Sequence, residues 1–326
     1  MAKILIISPI SIAGELILKG FKRGFEGFAH DSEMIDVRDL KEAFGFDYVL
    51  CYDFGYMIKT EARLCVENLI KENKNIKIIH YFADNPSLNY AHSGDMELKE
   101  HFFEFCNKYK DNIRLAFWDK KYLNDFSPLK SFYFPICVDC SVYQDYKMPK
   151  KYDISFLGRP LGERRQRILS KIIKKFPSKL KIFSYPEHFK RSIYEMRKYL
   201  NKDELEAYKE SFCGFIIEQE EISKIYNSSK INLNINLQGE DSLNFRTFEV
   251  LASNSFLLCD KRRDIENLGL CDVLVQYENE YDLIEKISHY LSYEDERNKI
   301  CANARKLVCK HYDISARASE ILNLAE

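Results

Sequence analysis

KINLNINLQGEDSLNFRTFEVLASNSFLLCD, Lys230–Asp260, is the stretch that decides the fold. Ile231, Leu233, Ile235 and Leu237 alternate with polar residues, which predicts a strand, and a glycine-containing polar loop follows. Phe245, Phe248, Leu251 and Ala252 then recur at helical spacing, before the apolar run Ser255–Cys259 predicts a second strand. Strand, loop, short helix, strand is one turn of a parallel α/β sheet. Arg246 and Glu249 stand one turn apart on that largely apolar helix. The helix starts just past a strand's carboxyl end, where open α/β sheets bind ligands. Such a position suits a phosphorylated, hydroxyl-bearing molecule.

The same alternation extends in both directions. In the N-terminal half, strands are predicted at 3–8, 34–37, 48–53, 76–84, 114–119 and 130–136, with helices near 15–27, 60–73 and 96–109. Residues 138–152 form a polar, proline-containing break and read as a linker. A second series follows, with strands at 153–158, 180–185, 231–237, 255–260 and 273–277. FCGFII (212–217) reads as a short extended piece, the charged stretch 187–211 and 220–226 as helical, and three helices close the chain. Strands alternating with helices imply right-handed crossovers and doubly wound sheets.

The bulk numbers fit an ordinary globular chain. Its 326 residues suffice for two cores, apolar residues make up 46% and charged residues 30%. A net charge of −1, with opposite charges interspersed, gives no field for nucleic acid and no polybasic anchor. The apolar N-terminus carries Glu15 and reads as a buried strand rather than a signal peptide, so a cytoplasmic location is expected. Ten scattered cysteines then read as reduced thiols, the one CxxC (Cys137 to Cys140) included.

Three groups of residues could carry chemistry. Gly158-Arg159-Pro160-Leu161-Gly162 ends a strand; glycine lets the backbone approach a phosphate, and arginine offers a forked contact. Arg164 and Arg165 crowd the following first helical turn against the dipole preference, which favours an anionic ligand there. Asp241 and Glu249, with Asn244 between them, offer acceptors for vicinal hydroxyls. The competing readings are a helix cap for Asp241 and a surface pair for Arg246 and Glu249. Asp84 and Asn85 end a strand, and His92 and Asp95 follow in a Ser/Gly loop where a general base could sit; turn formation is the competing reading. The chain has no Asp-x-Asp, HExxH or clustered histidines, so no metal site is expected, and no GxSxG that would anchor a serine triad.

At these residues the chain resembles the CgeB-like glycosyltransferases, relatives of the group-1 (family-four) enzymes with the two-domain GT-B architecture. The pieces that carry the resemblance include YDISFLG (152–158), LKIF (180–183), GFI (214–216), EISKIYNSSKINLN (221–234), NFRTFEVLA (244–252) and HYDISAR (311–317). YFADNP (81–86) and FPICVD (134–139) match more loosely. The resemblance implies an α/β fold of two Rossmann-like doubly wound domains facing across a cleft: an acceptor domain at 1–145, a donor domain at 146–308, and a final helix at 309–326 crossing back. It implies that Gly158, Arg159 and Arg246 face the donor diphosphate, that Glu249, Asn244 and Asp241 serve the ribose and sugar, and that Phe183, Phe215 and Ile216 line the base pocket. Asp84, His92 and Asp241 are the catalytic candidates. Asp241 stands where related enzymes carry Glu, and Asn254 follows where a glycine is usual.

The expected activity is therefore metal-independent, retaining transfer from a UDP- or GDP-linked sugar, with no further cofactor, to a glycan, lipid-linked or protein acceptor, at or near a membrane surface in the lipid case. A nucleotide-sugar epimerase of the same plan and a non-catalytic binding module are the rivals.

Overall fold

The computed structural model describes residues 1–9, 12–86, 98–237 and 241–326. The chain divides into two compact units, Met1–Asp139 with His311–Glu326, and Cys140–Lys310.

The first unit is a six-stranded parallel sheet of order β2-β1-β3-β4-β5-β6. Its strands are β1 (Lys3–Ser8), β2 (Asp31–Asp36), β3 (Tyr48–Tyr52), β4 (Lys77–Phe82), β5 (Ile113–Phe117) and β6 (Ser131–Tyr133). Helices α1 (Ile12–Gly27), α2 (Thr60–Glu72) and α3 (Leu98–Lys108) lie between them in the chain. Ile4 to Ile7 are fully buried, as a central parallel strand covered on both faces requires. Phe82 packs on Phe102 and Phe117 in one aromatic cluster, with ring centroids 6.0 and 5.1 Å away. His80 lies in this core and bonds Tyr56 (Nε2 to Oη, 3.0 Å). The closing helix α12 (Ile314–Ala325) packs on α1.

The second unit is a five-stranded parallel sheet of order β11-β10-β9-β7-β8, with β7 (Tyr152–Leu157), β8 (Leu180–Phe183), β9 (Ser229–Asn234), β10 (Leu257–Asp260) and β11 (Val275–Tyr277). Its helices are α4 (Glu163–Lys175), α5 (Pro186–Met196), α6 (Lys202–Glu210), α7 (Gln219–Ser228), α8 (Phe245–Ala252), α9 (Arg263–Asn267), α10 (Glu280–Ser292) and α11 (Glu294–His311). From β7 the chain winds first to β8 and then back to β9 on the other side, so the switch point lies between β7 and β9. Loops leaving these two strands diverge and open a crevice at their carboxyl ends.

Three local expectations change. Residues 235–237 lie past the end of β9, and 212–217 contribute only a single bridge, Phe212 to Ile182. Part of the expected linker is packed structure: the Gln144 amide donates to Ser223 Oγ at 3.2 Å, and Tyr143 reaches Glu249. All ten cysteines, Cys137 and Cys140 included, are free thiols. Among the described residues no helix is long and apolar enough to cross a membrane.

Candidate functional site

At the carboxyl edge of the second sheet lies a cavity of about 260 Å³. Strand β7 delivers Leu157, Gly158 and Arg159 to it, and β8 delivers Phe183, Ser184 and Tyr185. His188 on α5, Phe215 and Ile216 of the following loop, and Ile222 and Tyr226 on α7 add the next wall. Arg246 and Glu249 close it from α8. Seven of the residues singled out in the sequence, Gly158, Arg159, Phe183, Phe215, Ile216, Arg246 and Glu249, therefore line one space.

Gly158 has φ +137°, and a β-carbon there would lie 2.6 Å from Arg246 Nη2. Only glycine fits that approach. The guanidinium is fixed from behind by buried Asn234, whose Oδ1 accepts from Arg246 Nη1 at 3.0 Å. Arg246 Nε is buried without a partner. Arg159 is exposed, and its carbonyl accepts from Arg165 Nη1 at 2.8 Å.

Both oxygens of Glu249 are held: Tyr143 Oη donates to Oε1 at 3.0 Å and Tyr226 Oη to Oε2 at 2.9 Å. Burial raises the carboxyl pKa, while Tyr226 and Arg246 work against that rise. Two hydroxyl donors fix the carboxylate's orientation and leave lone pairs for further hydroxyls.

At the other end, Tyr185 and Phe215 stack face to face with centroids 3.5 Å apart and planes at 24°. Ser184 Oγ and His188 Nδ1 are buried there without hydrogen-bond partners. Chemically the cavity joins an arginine-lined end, an anchored carboxylate and an aromatic end with unspent polar groups.

Other singled-out residues lie elsewhere. Asn244 is absent from the cavity lining; it caps α8, accepting from the Thr247 amide, and exchanges hydrogen bonds with Asn234. The cap is thus Asn244, not Asp241. Asp241 is also outside the lining, and Arg263 Nη1 lies 3.4 Å from its carboxylate. Asp84 sits past β4 in the first unit, where its Oδ1 accepts from the Asn85 amide at 2.8 Å. His92 and Asp95 lie outside the described residues.

The reading of Arg164 and Arg165 as in need of an anionic ligand is overturned. Arg164 pairs with buried Asp260 at 3.0 Å and bonds the Asn236 carbonyl. Arg165 donates to the carbonyls of Ile235 and Arg159. Burial, and then the charge of Arg246, pull the Arg165 pKa down to about 9.

Sequence reasoning missed Ser184, Tyr185, His188, Tyr226, Tyr143 and Asn234. One signal existed: Asn232 and Asn234 in β9 and Asn236 just past it alternate with apolar residues, yet all three are buried. Buried amides need partners, and Asn234 finds one in Arg246.

Two parallel-sheet α/β units with Rossmann-like switch points define the fold class of GT-B glycosyltransferases, and solved structures agree. An α-glucosyltransferase in complex with UDP and a 13-mer DNA superposes with a TM-score of 0.68 at 13% identity, covering 100% of both chains. The DNA-modifying enzyme β-glucosyltransferase, solved with and without uridine diphosphoglucose, gives 0.65 at 14%, covering 99% of each. Sucrose-phosphate synthase from Thermosynechococcus elongatus gives 0.64 at 11%, covering 99% of this chain and 98% of that one. Residues 164–323 match the family model described as glycosyl transferase-like, so this region is a glycosyltransferase-like domain. No curated protein sequence matches the chain.

Proposed function

We propose that the protein is a glycosyltransferase that moves a sugar from a UDP- or GDP-linked donor to an acceptor hydroxyl. One observation carries this reading: arginines, an anchored carboxylate and stacked aromatics converge on a single cavity at the switch point of a glycosyltransferase-like domain. In this reading Arg159 and Arg246 lie along the diphosphate, and Gly158 lets it approach the backbone. Charge builds on the leaving phosphate as its bond to the sugar breaks, and preorganised guanidinium groups stabilise that charge. Glu249 accepts from the ribose hydroxyls, while Phe183, Phe215 and Ile216 border the base.

The acceptor hydroxyl loses its proton to a base as the new bond forms and the nucleoside diphosphate departs. Asp84, His92 and Asp241 are the candidates, with Asp241 nearest in sequence to the donor helix. Retention of configuration, independence of a metal, no further cofactor, and membership of the CgeB-like branch follow the sequence resemblance. The acceptor is a glycan, a lipid-linked sugar or a protein.

The test incubates the full chain with UDP-glucose or GDP-mannose and follows diphosphate release with and without oligosaccharide acceptors. Release above background that depends on acceptor supports the proposal. Arg246→Ala is expected to weaken UDP binding about ten- to a hundred-fold, the loss of a charged hydrogen bond costing about 1.5–3 kcal/mol. Altered free sugar without acceptor identifies an epimerase. UDP binding that Glu249→Ala abolishes, with no turnover, identifies a binding module, and no binding of any nucleoside diphosphate defeats the reading.

A further inference from the structure

The aromatic end of the cavity contains polar groups that the proposed chemistry does not use. Ser184 is 2% exposed, and its Oγ has no partner, although its own amide is satisfied by the Gly214 carbonyl at 2.8 Å. Two residues on, α5 begins: Tyr185 is its N-cap without a side-chain cap bond, and Pro186 is its first residue. The amides of Glu187 and His188 in this first turn have no intrahelical acceptor, and an eleven-residue helix places partial positive charge there. His188 lines the cavity with Nδ1 buried and unpartnered. Glu187, on the same turn, is exposed and does not line the cavity. A hydroxyl, an imidazole and the positive end of a helix thus meet beside the Tyr185–Phe215 stack.

Such a set favours a ligand edge that accepts hydrogen bonds. Uracil and guanine present a carbonyl oxygen at the position where cytosine and adenine present an amine. Facing a helix N-terminus, the carbonyl gains from the positive dipole end, whereas the amine brings donor against donor. Serine and neutral imidazole can each turn a donor towards that oxygen.

We infer that this end of the cavity selects the base of the donor, taking an oxo base (uracil or guanine) over an amino base (cytosine or adenine), with Ser184 and His188 as the specificity-determining residues. The inference rests on the donor reading above and sharpens it. Burial, and then the nearby Arg159 charge, lower the His188 pKa, which favours the neutral ring.

The experiment is calorimetric titration of the full chain with UDP, GDP, CDP and ADP. UDP or GDP is expected to bind at least about tenfold tighter than CDP and ADP, the discrimination that one mismatched base edge gives at about 1–3 kcal/mol. Ser184→Ala and His188→Phe should each narrow that preference while leaving the affinity for inorganic pyrophosphate unchanged. His188→Gln, which keeps a donor, should restore part of it. Equal binding of all four diphosphates, or a preference untouched in both variants, overturns the inference and leaves the donor reading standing. Binding of none of the four overturns both. Should a variant fail to fold, the wild-type ranking alone decides.

Discussion

Gly158 and Arg246 occupy each other's space: the missing β-carbon is what lets the guanidinium reach the cavity floor. Gly158→Ala must displace Arg246 Nη2, 2.6 Å from the new atom, and must also strain a backbone at φ +137°. UDP affinity is expected to fall about tenfold, read by titration, an effect of about 1.4 kcal/mol. The resemblance put this glycine and this arginine on one diphosphate, but their direct contact was not legible, because they are far apart in sequence. His80 shows the opposite limit. In the sequence it lies in the predicted strand 76–84 that ends at the candidate Asp84; in the fold it is a core residue bonded to Tyr56, and burial holds its pKa at about 4. The unfolded chain takes up that proton near pH 6.5, the folded one only near 4, so protonation favours unfolding. Stability is complete above pH 6.5 and declines as pH falls through this window, by about 3 kcal/mol from this group. Urea denaturation at stepped pH should show the decline in the wild type and a much flatter profile in His80→Gln.

Among the elements, α1 and α12 pack tightly at Gly24, which faces the small residues Ser315 and Ala318. A β-carbon on Gly24 would lie 2.6 Å from Ala318 Cβ and 2.8 Å from Ser315 Cα, and backbone cannot rotate away. Gly27, at the end of the same helix, has nothing within 4 Å. Alanine gains up to about 1 kcal/mol of helix propensity over glycine, whereas overpacking costs about 1–3 kcal/mol. Gly24→Ala should therefore lower stability by about 1 kcal/mol and Gly27→Ala should raise it slightly, both measured by denaturant midpoint. Strand β9 explains what periodicity left hidden. The alternation along it and the two residues past its end reads as one dry and one wet face, yet Asn232, Asn234 and Asn236 are as buried as Ile231, Leu233 and Ile235. In a parallel sheet covered on both sides, the second face can be polar only if each amide is paired. Asn236 pairs with Asp260 and Asn234 with Arg246 and Asn244. Those pairings depend on neighbouring strands and helices, which a single strand's pattern does not contain. The turn after α8 was legible: Asn254, where a glycine is usual, takes φ +53°.

At the level of the molecule, strand–helix alternation was enough to anticipate two doubly wound sheets, since parallel strands demand crossovers and crossovers set the switch points. The residues that line the cavity were readable because they cluster in short motifs at strand ends. The first unit was less readable, because binding chemistry there would lie in loops whose length and composition vary. The similarity to DNA glucosyltransferases, at 13–14% identity, is one of fold, while the chain's net charge of −1 lacks the basic surplus a nucleic-acid acceptor attracts. Where a nucleoside diphosphate sits is decided by a crystal structure of the full chain with UDP. The diphosphate is expected beside Gly158, Arg159 and Arg246, the ribose hydroxyls on Glu249, and uracil near Ser184 and His188. UDP bound away from the β7–β9 switch point, with that cavity empty, would contradict it.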